Sequence, residues 1–192
     1  MTKIVSVVPM MLAAGCLLAA SASRASDMKG IPPETVADYL HSVIEADRTF
    51  YTIHVVERLQ KGGTTKAAEN WRAMKDVLPL PAQFLRESSE LAATTGSKIR
   101  YRLISLWPIN PMNAPDGAAE RRGLEMVQEH PERSVTGTVR HAEQVYFQAI
   151  YADRAVSQSC VTCHNGHPQS QKRDFSMHDV MGGLVIEIPL EK

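Results

Sequence analysis

The sequence predicts an α+β fold, with long helices first and a mostly antiparallel sheet after them. Three observations carry this. Val36, Leu40, Ile44, Tyr51, Val55 and Leu59 recur at near-helical spacing. "KIRYRLISLW" (98–107) alternates charged and apolar residues with period two, as a strand with one buried face does. "SVTGTVRHA" and "QVYFQAIYADRAV" are rich in Val, Thr, Tyr and Phe and read as two antiparallel strands with a turn near Glu143. Helices and strands fall in separate stretches instead of alternating, which argues against a parallel α/β sheet.

The first 25 residues differ in kind. Lys3 precedes a mostly apolar run from Ile4 to Ala20, and Ser23-x-Ala25 fits a small-x-small cleavage rule. The segment reads as a secretory signal peptide, cut after Ala25, which places the protein in the periplasm. The alternatives are an uncut membrane anchor and a lipidated Cys16 in "AAGC". Residues 26–33 are a linker, and 34–192 form one domain.

Pro33 followed by Glu34 opens a helix that runs to Gln60 and stops at Lys61-Gly62-Gly63. At 1.5 Å per residue it is about 40 Å long. Residues 67–80 read as a short, partly helical segment. A second helix is expected over 81–95, opened by Pro81 and closed by Gly96, and a third over 118–130, stopping before Pro131. After the two strands come the "CVTCH" segment, a polar loop (165–178) and a last strand, Leu184–Ile188.

Lys+Arg and Asp+Glu both number 21, so the formal charge is zero and no basic surface for nucleic acid is expected. Once the signal is removed, only Cys160 and Cys163 remain of the three cysteines. A four-cysteine zinc site is then excluded. A disulfide closing so small a loop would restrain little. Their role is chemical.

Cys160-Val161-Thr162-Cys163-His164 has the spacing of a covalent c-type haem site. Two thiols separated by two residues reach the two vinyl groups on one porphyrin edge. The histidine directly after them folds under the ring to bind iron. The alternatives are a thioredoxin-like redox pair, which belongs at a helix N-terminus in a βαβ unit, and an incidental zinc site. The surroundings read as polar and loop-like with no parallel crossover, which favours haem.

The run "CVTCHNGHPQSQKRDFSMHDVMGGLVIEIPL" resembles the PAS-like c-type haem domain family first described in a cyanobacterial photosystem-associated protein. The features are Cys160, Cys163, His164, Asn165, Asp174-Phe175 and Asp179–Leu184. "RTFYTIHVVERL" (48–59) and "ERRGLEMVQEHPE" look similar as well. The resemblance implies helices and a PAS-like antiparallel sheet cradling one haem. It occurs in stand-alone periplasmic proteins and in sensor modules of receptors.

With His164 as the proximal ligand, the resemblance directs the search for a sixth ligand to the first helix. Some family members use a cysteine there, whereas this chain offers His54, with Arg58 four residues on as a partner for a propionate. His41, His130, His141, His167, His178, Met177 and Met181 are weaker candidates. Lys172-Arg173 reads as a solvated pair or a second propionate contact, and Gly182-Gly183 as a backbone approach to the macrocycle or the start of a bulged strand. Trp71 and Trp107 read as core.

The leading expectation is a periplasmic monohaem c-type protein, not an enzyme, that cycles Fe(III)/Fe(II) in electron transfer or redox sensing. It would work with a redox or signalling partner, as a monomer or homodimer, with no membrane span after signal cleavage. A gas-binding module for CO, NO or O2 with a displaceable distal ligand is the alternative.

Overall fold

The computed structural model describes residues 30–190. The expected signal peptide and the first half of the linker, residues 26–29, lie outside the described residues.

Helix α1 (Pro33–Phe50) begins on Pro33, whose missing N–H is one no helix could use at that position. Glu34 sits in the first turn and Arg48 in the last, each at the favourable end of the helix dipole. The chain does not leave the helix at Phe50. Tyr51–Glu57 continues as a wider π-helix, and Arg58–Lys61 (α2) returns to α geometry before Gly62 and Gly63. Gly63 has φ 65°, the left-handed conformation expected of a glycine stop.

The π stretch departs from the uniform α-helix expected, and the inward-facing residues supply a reason. Ile44, Arg48, Thr52 and Val56 follow one another at intervals of four. In an α-helix each such step overshoots a full turn by about 40°. The i→i+5 pairing of a π turn unwinds that drift and keeps Thr52 and Val56 inward.

The segment expected to be partly helical instead forms two very short parallel strands, β1 (Lys66–Ala67) and β2 (Val77–Leu78), around a single 3-10 turn at Trp71–Ala73. Helix α3 (Pro81–Ala93) starts with the Gln83 Oε1 accepting from the Leu80 N–H at 3.0 Å. Strand β3 (Arg100–Ile104), helix α4 (Gly117–Glu129), and strands β4 (Val135–His141) and β5 (Gln144–Arg154) then follow as expected within a few residues. The β4–β5 turn places Ala142 at φ 50°. Helix α5 (Gln158–Gly166) and strand β6 (Val180–Pro189) complete the fold.

The sheet order is β3-β6-β5-β4, antiparallel throughout, so the last strand is inserted between the third and the fifth. This makes β6 central, and "LVIEI" has to serve two cores. On one face Ala149, Tyr151, Leu184 and Ile186 pack with Ala37 of α1 and Leu85 of α3. On the other, Ile150 and Val185 pack with Ile104 and with Leu124 and Val127 of α4. Helix α1 is fixed across the first face by polar contacts too. The Tyr151 hydroxyl donates to Asp38 at 2.8 Å, and its ring stacks on His41 with centroids 4.0 Å apart. Burial lowers the pKa of His41, so the stacked imidazole is held neutral.

Strand β6 carries Gly182-Gly183 near its start because neither position has room for a side chain. A Cβ on Gly182 would overlap the Ile104 carbonyl oxygen, and one on Gly183 would stand 2.9 Å from both Ile150 and Leu124 methyls. The register shift at Asp153/Arg154 lies opposite, so the expected bulged start is present. Gly182→Ala should therefore lower unfolding stability by about 1–3 kcal/mol or more in a urea titration. Gly137→Ala, which meets nothing within 4 Å, should be neutral or stabilising. Equal effects at the two sites would contradict this packing.

Candidate functional site

Strand β5 ends at the register shift, and the chain is immediately tied down again. The Ala155 N–H donates to Asp179 O at 2.9 Å and the His178 N–H donates to Ala155 O at 3.0 Å. Ser157 then caps α5, its hydroxyl accepting from the Ser159 N–H at 3.1 Å. The motif segment was expected to be loop-like and is instead this helix. Its Thr, Asn and Gly content is poor for helix formation, and Ser157 was the one available signal.

Helicity places Cys160, Cys163 and His164 together, because positions i, i+3 and i+4 share a face. Val161 turns inward and packs with Ala155, Phe175 and Met181, with Trp107 and Cys160 at the edge of that cluster. Both cysteines are free thiols, Cys160 half-buried and Cys163 exposed. The part of Cys163 that does pack inward pushes its thiol pKa up, and Cys160 and Glu69 add to this. Cys160 lies in the first turn of α5, where a redox-active dithiol also sits, but the flanking strands β5 and β6 are antiparallel, so the βαβ setting of such a pair is missing. Among the described residues, no group of three or more His, Cys, Asp and Glu side chains is arranged to hold a metal ion.

His164 stands edge-on to Phe175, ring centroids 6.0 Å apart at 90°. Burial lowers its pKa, and the nearby His167 and Arg48 lower it further. The imidazole is therefore neutral at physiological pH and keeps a lone pair for a metal. The face as a whole offers two thiols and one neutral imidazole, the donor set that covalent haem attachment needs.

The polar loop after α5 is fixed to it. Asn165 donates to Phe175 O at 2.9 Å and accepts from the Phe175 N–H at 3.0 Å, as a neighbouring strand would. Lys172 bonds Asp174 at 2.6 Å and lies over the Trp107 and Phe175 rings at 5.3 and 5.1 Å. Arg173 donates to Pro168 O at 2.9 Å. The Lys172-Arg173 pair is thus engaged in holding the loop.

The long helix presents Arg48, Thr52 and Val56 inward. Arg48 forms an ion pair with Asp153 at the end of β5. His54 lies two positions from both Thr52 and Val56, on the side of the π stretch away from them. It is exposed on the same stripe as Phe50 and Arg58, with its ring 4.9 Å from that of Phe50. The structure gathers Cys160, Cys163 and His164 on α5 and places His54 and Arg58 on an exposed stripe of the long helix. The other histidines have local duties. His41 stacks on Tyr151, His167 pairs with Glu69 at 3.6 Å, and His141 holds Glu187 at 3.0 Å. Met181 is buried beneath α5 and Met177 is exposed. A cavity of about 680 Å³ lies beside α3 and β3, lined by residues including Leu85, Arg102, His141 and Glu187 and by none from α5.

Sequence reasoning passed over Arg48 and Asp153. The available signal was a charge at position 48, in phase with the apolar stripe of Ala37, Leu40 and Ile44. The Asn165 clamp makes its own prediction. Asn165→Asp removes the donor to the Phe175 carbonyl and should cost about 1–3 kcal/mol locally. Hydrogen exchange at the Phe175 amide should quicken while that of Ile150, deep in the sheet, stays unchanged. Uniform quickening of both would show that the clamp supports the whole fold instead.

Comparison with known proteins agrees with this architecture. Among solved structures, the cyanobacterial heme-protein Tll0287 superposes with a TM-score of 0.52 at 15% identity, over 84% of this chain and 99% of that one. No curated protein matches the chain. The sequence profile of the Tll0287-like family matches residues 32–189, nearly all of the described chain. The chain belongs to the Tll0287-like family.

Proposed function

We propose that this is an exported monohaem c-type protein that serves electron transfer or redox sensing. The observation that carries the reading is the single face of α5 on which Cys160, Cys163 and a neutral His164 stand together. Membership of a family with a haem-binding structural neighbour supports it. Among the described residues, no helix is long and apolar enough to cross a membrane.

Cys160 and Cys163 would hold the haem through thioether bonds, each S–H adding whole across one vinyl C=C with no net oxidation, and His164 would offer an imidazole nitrogen to its iron. The bound haem supplies a one-electron Fe(III)/Fe(II) couple. The chain's own part is to hold that couple with little rearrangement. Val161 and Phe175 brace α5 from behind, and Asn165 fixes the loop beside it. Electrons would pass to or from a partner protein without a substrate pocket.

A second reading is favoured by one observation. His54 faces outward, so the iron face opposite His164 would take an exchangeable ligand and bind a diatomic gas. The same exposed stripe argues against His54 as sixth ligand.

Both readings are tested on the purified exported protein. Haem that stays attached through denaturation in the wild type and is released from the Cys160→Ala/Cys163→Ala double variant is the expected result. Haem lost on denaturing the wild type would overturn the covalent assignment. A dithionite-reduced spectrum indifferent to CO supports electron transfer, and one that shifts with CO supports the gas-binding reading. His54→Ala should leave the reduced spectrum unaltered. Loss of low-spin bands in that variant would return His54 to the iron.

A further inference from the structure

The ion pair between Arg48 and Asp153 is nearly closed to solvent and sits where the long helix meets the end of β5, the strand that leads into the motif helix. Arg48 is 9% exposed, and the two side chains come from elements 105 residues apart in sequence. A buried ion pair is weak support for stability, because desolvating both charges offsets their attraction. It is better explained by something that needs a fixed charge there. The pair stands close to the motif helix: Asp153 lies two residues before Ala155, which is buried in one cluster with Val161 and Cys160 of α5. Burial lowers the pKa of Arg48, yet a guanidinium stays protonated through the physiological range. It also has five N–H donors, and among the described residues its one recorded side-chain hydrogen bond goes to Asp153.

We infer that Arg48, oriented by Asp153, is the fixed positive charge that sets the redox equilibrium of the haem held on α5. The inference rests on the proposed haem attachment. Reduction adds one electron, taken from an electrode or a donor protein, and takes the iron from Fe(III) to Fe(II). A buried cation nearby disfavours the more positive oxidised state and raises the potential, and a buried anion does the reverse. Arg48 and Asp153 are positioning residues, acting on the iron through space without ligating it.

The two members of the pair should therefore move the potential in opposite directions. Spectroelectrochemical titration of the full exported protein is expected to show Arg48→Gln with a lower potential than wild type and Asp153→Asn with a higher one. The shift expected for Arg48→Gln is at least tenfold in the redox equilibrium, about 59 mV for one electron. Arg48→Lys keeps the charge and should stay close to wild type. A structural role alone would shift both isosteric variants the same way or change the spin state, so the visible spectrum is recorded for each. If Arg48→Gln does not mature, Arg48→Lys and Asp153→Asn still decide the sign. Same-sign shifts, or unmoved potentials with haem attached, would overturn the inference and leave the haem reading standing. Wild type without covalent haem would overturn both.

Discussion

The insertion of the last strand between β3 and β5 is the constraint on which the rest of the molecule depends. Strand β6 closes the sheet only after the whole chain has been laid out. It arrives with one apolar residue directed to each of two cores in turn. Leu184 and Ile186 meet the long helix side, and Val185 meets the α4 side. Its entry is as tight as its middle, because the paired glycines let the backbone of β6 lie directly on that of β3. The same entry fixes the motif helix, since Met181 is part of the apolar seat under α5 and the Asp179 carbonyl receives the Ala155 N–H.

The motif helix divides its surface between two duties. Val161 and the edge of Cys160 belong to the core, and Cys163 stands in solvent. The proposed haem attachment needs this division. The thiols would have to be reachable when haem is added, while the helix carrying them is already held. The hold comes from a small aromatic and aliphatic cluster, and the loop that closes it is secured by Asn165, Lys172 and Arg173. Much of the charge that reads as surface decoration along 165–178 is therefore internal bracing of that loop.

Much of this was legible in the sequence because burial writes a period into the chain. The long helix, α3, α4 and the β4–β5 hairpin follow from spacing and from Pro and Gly at their ends. Strand β6 was recognised over only half its length, because two glycines at its start carry no side-chain signal even though they are where packing is tightest. The helix around the cysteines was hidden by weak formers that tertiary contacts override. The phase of His54 was unreadable for another reason. Tyr39, Val43 and Phe50 are large apolar residues that remain 64, 59 and 61% exposed, so the long helix is apolar on more than one side. Apolar neighbours at Ile53 and Val55 therefore could not tell an inward histidine from an outward one. Arg48 shows the converse, a charge on the stripe that does face inward, with Asp153 waiting more than a hundred residues away.

The π stretch at Tyr51–Glu57 gives the long helix an uneven tolerance to changes in length. Losing one residue within that stretch would let it relax to ordinary α winding, so the turns on either side could keep their present faces. Losing one between Ala37 and Arg48 offers no such slack. It would rotate one half of the helix by about 100° against the other. Either Ala37 would leave the sheet or the guanidinium would leave Asp153. One rod thus joins a segment that can absorb a slip to one that cannot, and the boundary falls just beyond the buried arginine.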